Sequence, residues 1–106
     1  MGEGGTHVRC SVVMATWQGE RFLPRQLASL LGQTRLPDEL IVVDDASFDA
    51  TPELIKDFAE TAPFPVRLIR SEVQRGSTRS FGTAIEAATG DLILLADQDD
   101  LWLRSE

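Results

Sequence analysis

Short apolar runs alternate with segments of helical periodicity along this chain, and this alternation restricts its fold more than any other feature. Each run is rich in Val, Ile and Leu, as expected of a buried strand. Strands joined through helices need right-handed crossovers, which make the strands parallel and place helices on both faces of the sheet. We therefore predict an α/β fold with a doubly wound, mostly parallel, Rossmann-like sheet of about four strands and three helices. The predicted strands are Arg9–Ala15, Glu39–Val43, Val66–Arg70 and Asp91–Ala96.

Three segments between these strands have the apolar spacing of amphipathic helices. The first helix is predicted over Glu20–Leu31, with Gly32 placed to end it. We expect Thr51 to cap the second helix, because Pro52 follows in the position that best suits proline. Gly90 is expected to stop the third helix. The predicted apolar stripes contain Leu23, Leu27, Leu30 and Leu31, then Leu54, Ile55, Phe58 and Ala59, and then Phe81, Ala84, Ile85 and Ala88.

Length, charge and cysteine content narrow the class of protein. The 106 residues suffice for one domain, which we place at residues 8–106 after a flexible segment at residues 1–7. Lys and Arg number 10 against 17 Asp and Glu, and the resulting net charge of -7 disfavours nucleic acid as a partner. The single cysteine, Cys10, cannot form an internal disulfide and favours a reducing, cytoplasmic compartment. No segment has the length and apolar character of a secretory signal or a membrane span.

Acidic residues follow two of the predicted strands at the points where those strands end. Asp97, Asp99 and Asp100 follow the fourth strand, and Asp44 and Asp45 follow the second. Ligands of doubly wound sheets bind beyond the carboxyl ends of the strands. Clustered carboxylates repel each other unless they face water, meet basic groups or share a divalent cation. The alternatives are a solvated acidic turn and a site for a metal-bound diphosphate, and the second acidic pair favours the site.

Five ordered blocks of sequence resemble the motifs of a known family. The blocks are Val12–Glu20, Ser29–Thr34, Ile41–Ser47, Ala88–Asp91 and Ala96–Trp102. Their order and spacing together are similar to those of the family 2 glycosyltransferases, and the resemblance extends from about Val8 to Leu103. It implies the nucleotide-sugar-binding half of a type-A glycosyltransferase fold. It also implies transfer of a sugar from a nucleotide diphosphate sugar to an acceptor hydroxyl, with Mg²⁺ or Mn²⁺ as cofactor.

The same resemblance implies roles for individual residues. Asp99 matches the metal-ligand carboxylate of the family, and Asp97 matches the first acid of that motif, near the ribose or the metal. Asp45 matches the acid that accepts a hydrogen bond from the pyrimidine N3–H, a contact that selects uracil or thymine. Thr16, at the end of the first strand, matches a position that touches the base.

Three other positions stay open between a binding role and a structural role. Asp44 either contacts the nucleotide sugar or caps its own loop through backbone amides. Arg79, near the start of the third helix, either approaches the base or a phosphate, or forms a salt bridge to the acidic cluster. Asp100 either supports the metal site or is solvated.

Details of the motifs bear on the sugar donor. Trp17-Gln18 stands where the family usually has Tyr-Asn, so the base pocket differs in part. The block Asp97–Trp102 and the segment Gly19–Leu23 resemble rhamnosyltransferase-like members that act in the synthesis of surface polysaccharides. That resemblance implies a dTDP sugar, with a UDP sugar as the other expectation.

The catalytic base is not among the matched residues. Family members continue into an acceptor-binding half that supplies this base, an Asp or Glu that activates the acceptor hydroxyl. We therefore expect a donor-binding part of an enzyme that is inactive alone, with a glycan or lipid-linked glycan bound by the other half. The expected location is the cytoplasm, at the inner face of the membrane for the whole protein. The alternative is a non-catalytic nucleotide-binding or structural module of the same fold.

Overall fold

The computed structural model of the protein describes residues 8–97 and 100–101, and at Ser77, Asp97, Asp100 and Leu101 the description covers the backbone alone. The segment 1–7, predicted to be flexible, lies outside the described residues, as does Asp99. The described residues form one sheet of five strands in the order β3-β2-β1-β4-β5. The strands are β1 (Cys10–Thr16), β2 (Glu39–Asp45), β3 (Val66–Ser71), β4 (Leu92–Asp97) and β5 (Asp100–Leu101). The helices are α1 (Leu23–Leu31), α2 (Thr51–Thr61) and α3 (Ser77–Ala87).

The predicted α/β class and the parallel sheet are confirmed. Strands β1 to β4 pair in parallel, and the short β5 adds an antiparallel pair beside β4 that the sequence did not predict. The chain builds β2 and β3 on one side of β1 and then crosses to place β4 on the other side. The strand order therefore reverses between β1 and β4, and the carboxyl ends of these strands border the crevice in which such sheets bind ligands.

The core has two layers, one on each face of the sheet, as expected for strands covered on both sides. The side chains of successive strand residues alternate between the faces. Leu31 and Ile85, which the sequence placed on apolar stripes, are 43% and 41% exposed because their neighbours Leu30 and Ala84 face the sheet instead. The α1 and α2 layer contains Val12, Met14, Leu23, Leu27, Leu30, Leu40, Val42, Ile55, Phe64 and Ala96. The α3 layer contains Val13, Ile41, Val43 and Ala84.

One predicted boundary of each helix is wrong. Helix α1 begins at Leu23 rather than Glu20, because the Gly19 carbonyl accepts the amides of Phe22 and Leu23 in a preceding turn. Thr51 is the first residue of α2 and not its cap, since its hydroxyl is bonded to Asp49 and Gly19. Helix α3 ends at Ala87, before Gly90.

Gly90 has a packing role that explains why glycine stands there. A Cβ atom at this position would lie 2.5 Å from Ser11 Oγ and 2.8 Å from the Arg9 carbonyl oxygen. The Gly90 amide donates to Ser11 Oγ, and Ser11 Oγ donates to Glu39 Oε2 at 2.6 Å. These residues form a polar cluster at the amino edge of the sheet, opposite the edge that carries the predicted site.

Glu39 is the centre of this cluster. Its Oε2 also accepts the amide and the hydroxyl of Thr89, and Arg9 lies 3.9 Å from its Oε1. Burial raises the pKa of Glu39, but the hydrogen bonds from Ser11 and Thr89 and the charge of Arg9 outweigh it, so the net pKa is lowered. Glu39 therefore stabilises the fold as a carboxylate.

The structure also bears on the single cysteine and on membrane-spanning helices. Cys10 is buried in β1, as predicted, and burial raises the pKa of its thiol. Within the part of the chain that the structure describes, no helix has the length and apolar character that a membrane crossing requires.

Candidate functional site

Asp44, at the end of β2, is the most enclosed acid of the carboxyl edge. Its side chain is completely buried on the α1 and α2 side of the sheet. Its Oδ1 accepts the hydroxyls of Thr16 and Ser47, each at 2.7 Å, and its Oδ2 accepts the Ser47 amide at 2.9 Å. All these bonds close the loop after β2 and tie it to β1. They are the bonds of a loop-capping residue, and a ligand role for Asp44 stays a prediction.

Thr16 is held by the same cluster. It pairs with Asp44 in the register of β1 and β2, and its side chain is 2% exposed. Because its hydroxyl hydrogen goes to Asp44, the hydroxyl retains only its acceptor capacity toward another group. A contact between Thr16 and a base stays a prediction.

Asp45 has a different environment, although it is the next residue. It lies on the α3 side of the sheet, and its Oδ1 accepts the Arg75 amide at 2.7 Å while its Oδ2 accepts the Gly76 amide at 2.8 Å. These bonds attach the loop between β3 and α3 to the end of β2. Gly76 has a φ of 97°, which strongly favours glycine over residues with a side chain. Each carboxylate oxygen can accept a second bond, so Asp45 retains acceptor capacity at the edge of the sheet.

The remaining predicted site residues lie on α3 and β4 or outside the described residues. Arg79 occupies the first turn of α3 and is exposed. Asp97 ends β4, one residue past Ala96, which pairs with Met14 of β1. The register also places Asp97 opposite Asp100 in the antiparallel pair of β4 and β5. Asp99, the predicted metal ligand, lies outside the described residues, and the described ones contain no group of three His, Cys, Asp or Glu suited to a metal ion.

The loops that follow β1 and β2 are bonded to each other through side chains. We call this arrangement, formed by residues 18–20 and 47–51, the loop clamp. The Gln18 amide donates to Ser47 Oγ at 2.8 Å, and Gln18 Oε1 accepts the Phe48 amide at 2.7 Å. Further bonds join the Gly19 amide to Thr51 Oγ1, the Glu20 amide to Asp49 Oδ2, and the Ala50 amide to Glu20 Oε1.

The loop clamp also holds unusual backbone and a charged group. Gln18 in the clamp has a φ of 52°, and Ala46, directly before the clamp residue Ser47, has a φ of 64°. Both values are left-handed, a conformation that non-glycine residues rarely adopt. Burial raises the pKa of Asp49, but hydrogen bonds from the hydroxyl and amide of Thr51 outweigh it and lower the net pKa. Such conformations persist only where the surroundings fix them, and here the clamp does so.

Sequence reasoning missed two features of this edge. A cavity of ≈ 410 Å³ at the carboxyl ends of β2 and β3 is lined by Ala46, Ser47, Arg70, Ser71 and Glu72. Ser80 is 2% exposed, and its hydroxyl has no hydrogen-bond partner among the described residues. Its position four residues before the buried Ala84 was the available signal, since it puts a polar side chain on the sheet-facing side of α3.

Comparison with known proteins identifies the family. The sequence profile of glycosyl transferase family 2 matches residues 11–106, which is most of the chain. The chain belongs to glycosyl transferase family 2. It is 29% identical over 96 residues to the UDP-Glc:alpha-D-GlcNAc-diphosphoundecaprenol beta-1,3-glucosyltransferase WfgD of Escherichia coli, covering 91% of this chain and 37% of that protein.

Solved glycosyltransferase structures share the fold of this family 2 chain. The mannosyltransferase PcManGT from Pyrobaculum calidifontis, in complex with GDP-Man and Mn²⁺, has a TM-score of 0.81 and 30% identity, covering 94% of this chain and 30% of that one. TarS 1-349 of S. aureus, in complex with UDP-GlcNAc, has a TM-score of 0.78 and 26% identity, covering 86% of this chain and 26% of that one. The chain therefore spans well under half the length of the proteins that it matches.

Proposed function

We propose that this family 2 chain binds the donor of a glycosyltransferase, a nucleotide diphosphate sugar, at the carboxyl edge of its parallel sheet. The observation that carries the proposal is the buried carboxylate of Asp45, which retains acceptor capacity at the carboxyl end of β2, the strand next to β1. Family membership supports it, as do the structural neighbours in complex with GDP-Man and with UDP-GlcNAc. In this proposal Asp45 accepts a ring N–H of the base, and Thr16, Asp44 and Arg79 border the nucleotide.

The proposal includes a divalent cation held by Asp97 and Asp99. Carboxylate oxygens are the ligands that Mg²⁺ and Mn²⁺ prefer. The backbone register pairs Asp97 with Asp100, so a further acidic residue follows in the chain at this end of β4. When bound, such a cation neutralises the negative charge of the diphosphate leaving group as a Lewis acid.

For the whole protein, we propose transfer of the sugar to an acceptor hydroxyl in the synthesis of a surface polysaccharide or related glycan. A glycan or lipid-linked glycan is the proposed acceptor, and the name of the similar Escherichia coli enzyme, which contains diphosphoundecaprenol, supports the lipid-linked form. UDP and dTDP sugars are the proposed donors. The proposed location is the cytoplasm, at the inner face of the membrane.

An amide NMR titration of the chain with UDP and with dTDP, each with and without Mg²⁺, tests the donor site. We expect metal-dependent shifts at the amides of residues 16, 45, 75 and 76, together with loss of these shifts in Asp99→Asn. Asp57→Asn is the matched control, because Asp57 is an exposed acid of α2. A folded chain whose amides respond to neither nucleotide would refute donor binding and favour the alternative of a structural module.

A further inference from the structure

Ser80 is the one side chain near the candidate site whose burial lacks an explanation within the described residues. It is 2% exposed, and its hydroxyl has no hydrogen-bond partner among those residues. Other buried polar side chains of the carboxyl edge, such as Thr16, Asp44 and Ser47, are bonded. A buried hydroxyl without a partner loses its hydrogen bonds to water and gains none in return, so native proteins contain few of them.

The position of Ser80 places it beside Asp45. Its amide donates to the Gly76 carbonyl at 3.1 Å, and the Gly76 amide donates to Asp45 Oδ2 at 2.8 Å. Ser80 also lies one helical turn before Ala84, which packs on Val43, and Asp45 follows Val43 on the same face of β2. Because Cβ bonds tilt toward the start of a helix, the Ser80 side chain leans toward the carboxyl edge of the sheet.

The chemistry of the two groups is complementary to one kind of ring edge. An ionised Asp45 only accepts hydrogen bonds, whereas the Ser80 hydroxyl can donate one. The acceptor Asp45 can take the hydrogen of a ring N–H, and the donor Ser80 can bond to the carbonyl group beside that N–H. Uracil, thymine and guanine each have such an edge. Cytosine presents the opposite order, a bare ring nitrogen next to an amino group. A phosphate is a poor match, because the Asp45 carboxylate would repel it.

We propose that Ser80 is a specificity-determining residue, and that its hydroxyl donates to the base carbonyl next to the ring N–H that Asp45 accepts. The inference rests on the proposed donor binding and adds a second contact to it. Together the two residues select bases with an N–H and carbonyl edge and reject cytosine. Neither contact depends on the identity of the sugar.

Binding of UDP and CDP to the full chain in the presence of Mg²⁺, measured by calorimetry, tests this role. Loss of one neutral hydrogen bond predicts that Ser80→Ala binds UDP about tenfold more weakly, with CDP binding unchanged. The UDP affinity divided by the CDP affinity should therefore fall by about the same factor. Thr78→Ala, an exposed neighbour on the same helix, should leave the ratio unchanged.

Thermal unfolding of the nucleotide-free proteins separates this role from a structural one. Because the hydroxyl has no partner, Ser80→Ala should unfold at the same temperature as the wild type or at a higher one. A lower temperature would mean that the protein itself bonds the hydroxyl, which would overturn the proposal. An unchanged ratio of UDP to CDP affinity would also overturn it, while leaving donor binding intact. A wild-type chain that binds neither nucleotide would overturn donor binding as well.

Discussion

Asp44 and Asp45 are adjacent acids, but their contacts predict opposite consequences of substitution. Asp44→Ala removes the acceptor of three hydrogen bonds, from the hydroxyls of Thr16 and Ser47 and from the Ser47 amide. Thr16 and Ser47 are 2% and 4% exposed, so water cannot replace the lost acceptor. With about 1–2 kcal/mol for each of the three buried donors left unpaired, the free energy of unfolding should fall by about 3–6 kcal/mol.

Asp45→Ala should cost much less stability. Its partners are the amides of Arg75 and Gly76, and both of these residues are exposed, so water can take the place of the carboxylate. The expected loss is about 1 kcal/mol. Nucleotide binding, in contrast, should be lost in this variant, because the proposed acceptor of the ring N–H is gone.

Urea denaturation followed by circular dichroism at pH 7 measures both losses. Asp57→Ala serves as the control for an exposed acid and should change stability by less than about 0.5 kcal/mol. If Asp44→Ala unfolds the chain outright, Asp44→Asn keeps one acceptor oxygen and should cost about 1–3 kcal/mol. Equal losses for the Asp44 and Asp45 variants would refute the reasoning that burial of the partners decides the cost.

Two further predictions concern the amino edge of the sheet and helix α3. Because the folded pKa of Glu39 is below its ordinary value of 4.5, its stabilising effect is complete above that value and is lost as the pH falls through the folded pKa. Urea denaturation from pH 7 to pH 3 should therefore show a smaller loss for Glu39→Gln than for wild type, and parallel curves would contradict this. In Gly90→Ala, the added Cβ atom would clash with Ser11 and Arg9, so the free energy of unfolding should fall by about 1–3 kcal/mol. In Gly82→Ala, the added Cβ atom would enter open space and alanine favours the helix, so the free energy of unfolding should rise by about 0.5–1 kcal/mol. The same sign for both alanine variants in thermal unfolding would contradict the packing argument.

The regular elements could be predicted because their signals are local. The apolar runs gave all four parallel strands to within two residues at each end, and the spacing of Leu23, Leu27 and Leu30 gave the buried side of α1. The start of α1 was wrong because Glu20 is held by bonds to Asp49 and Ala50, far along the chain. The sequence carries no local sign of such contacts.

The same limit applies to the candidate site. Its placement at the strand ends followed from the α/β pattern, since the carboxyl ends of parallel strands share one edge. The different partners of Asp44 and Asp45 could not be predicted. Alternation within β2 predicts on which face of the sheet each side chain lies, but it does not predict which loop packs against that face. Ser80 was missed because its unpartnered hydroxyl becomes visible only once α3 is packed on the sheet.

The loop clamp also determines when the first loop of the protein can become ordered during synthesis. Its bonds join residues that are 29 to 32 positions apart in the chain. While a ribosome still holds Thr51, the nascent segment at Gln18 lacks the partners that fix its left-handed backbone. The first loop, although it is translated earlier, therefore cannot reach its final conformation before the second loop has left the ribosome.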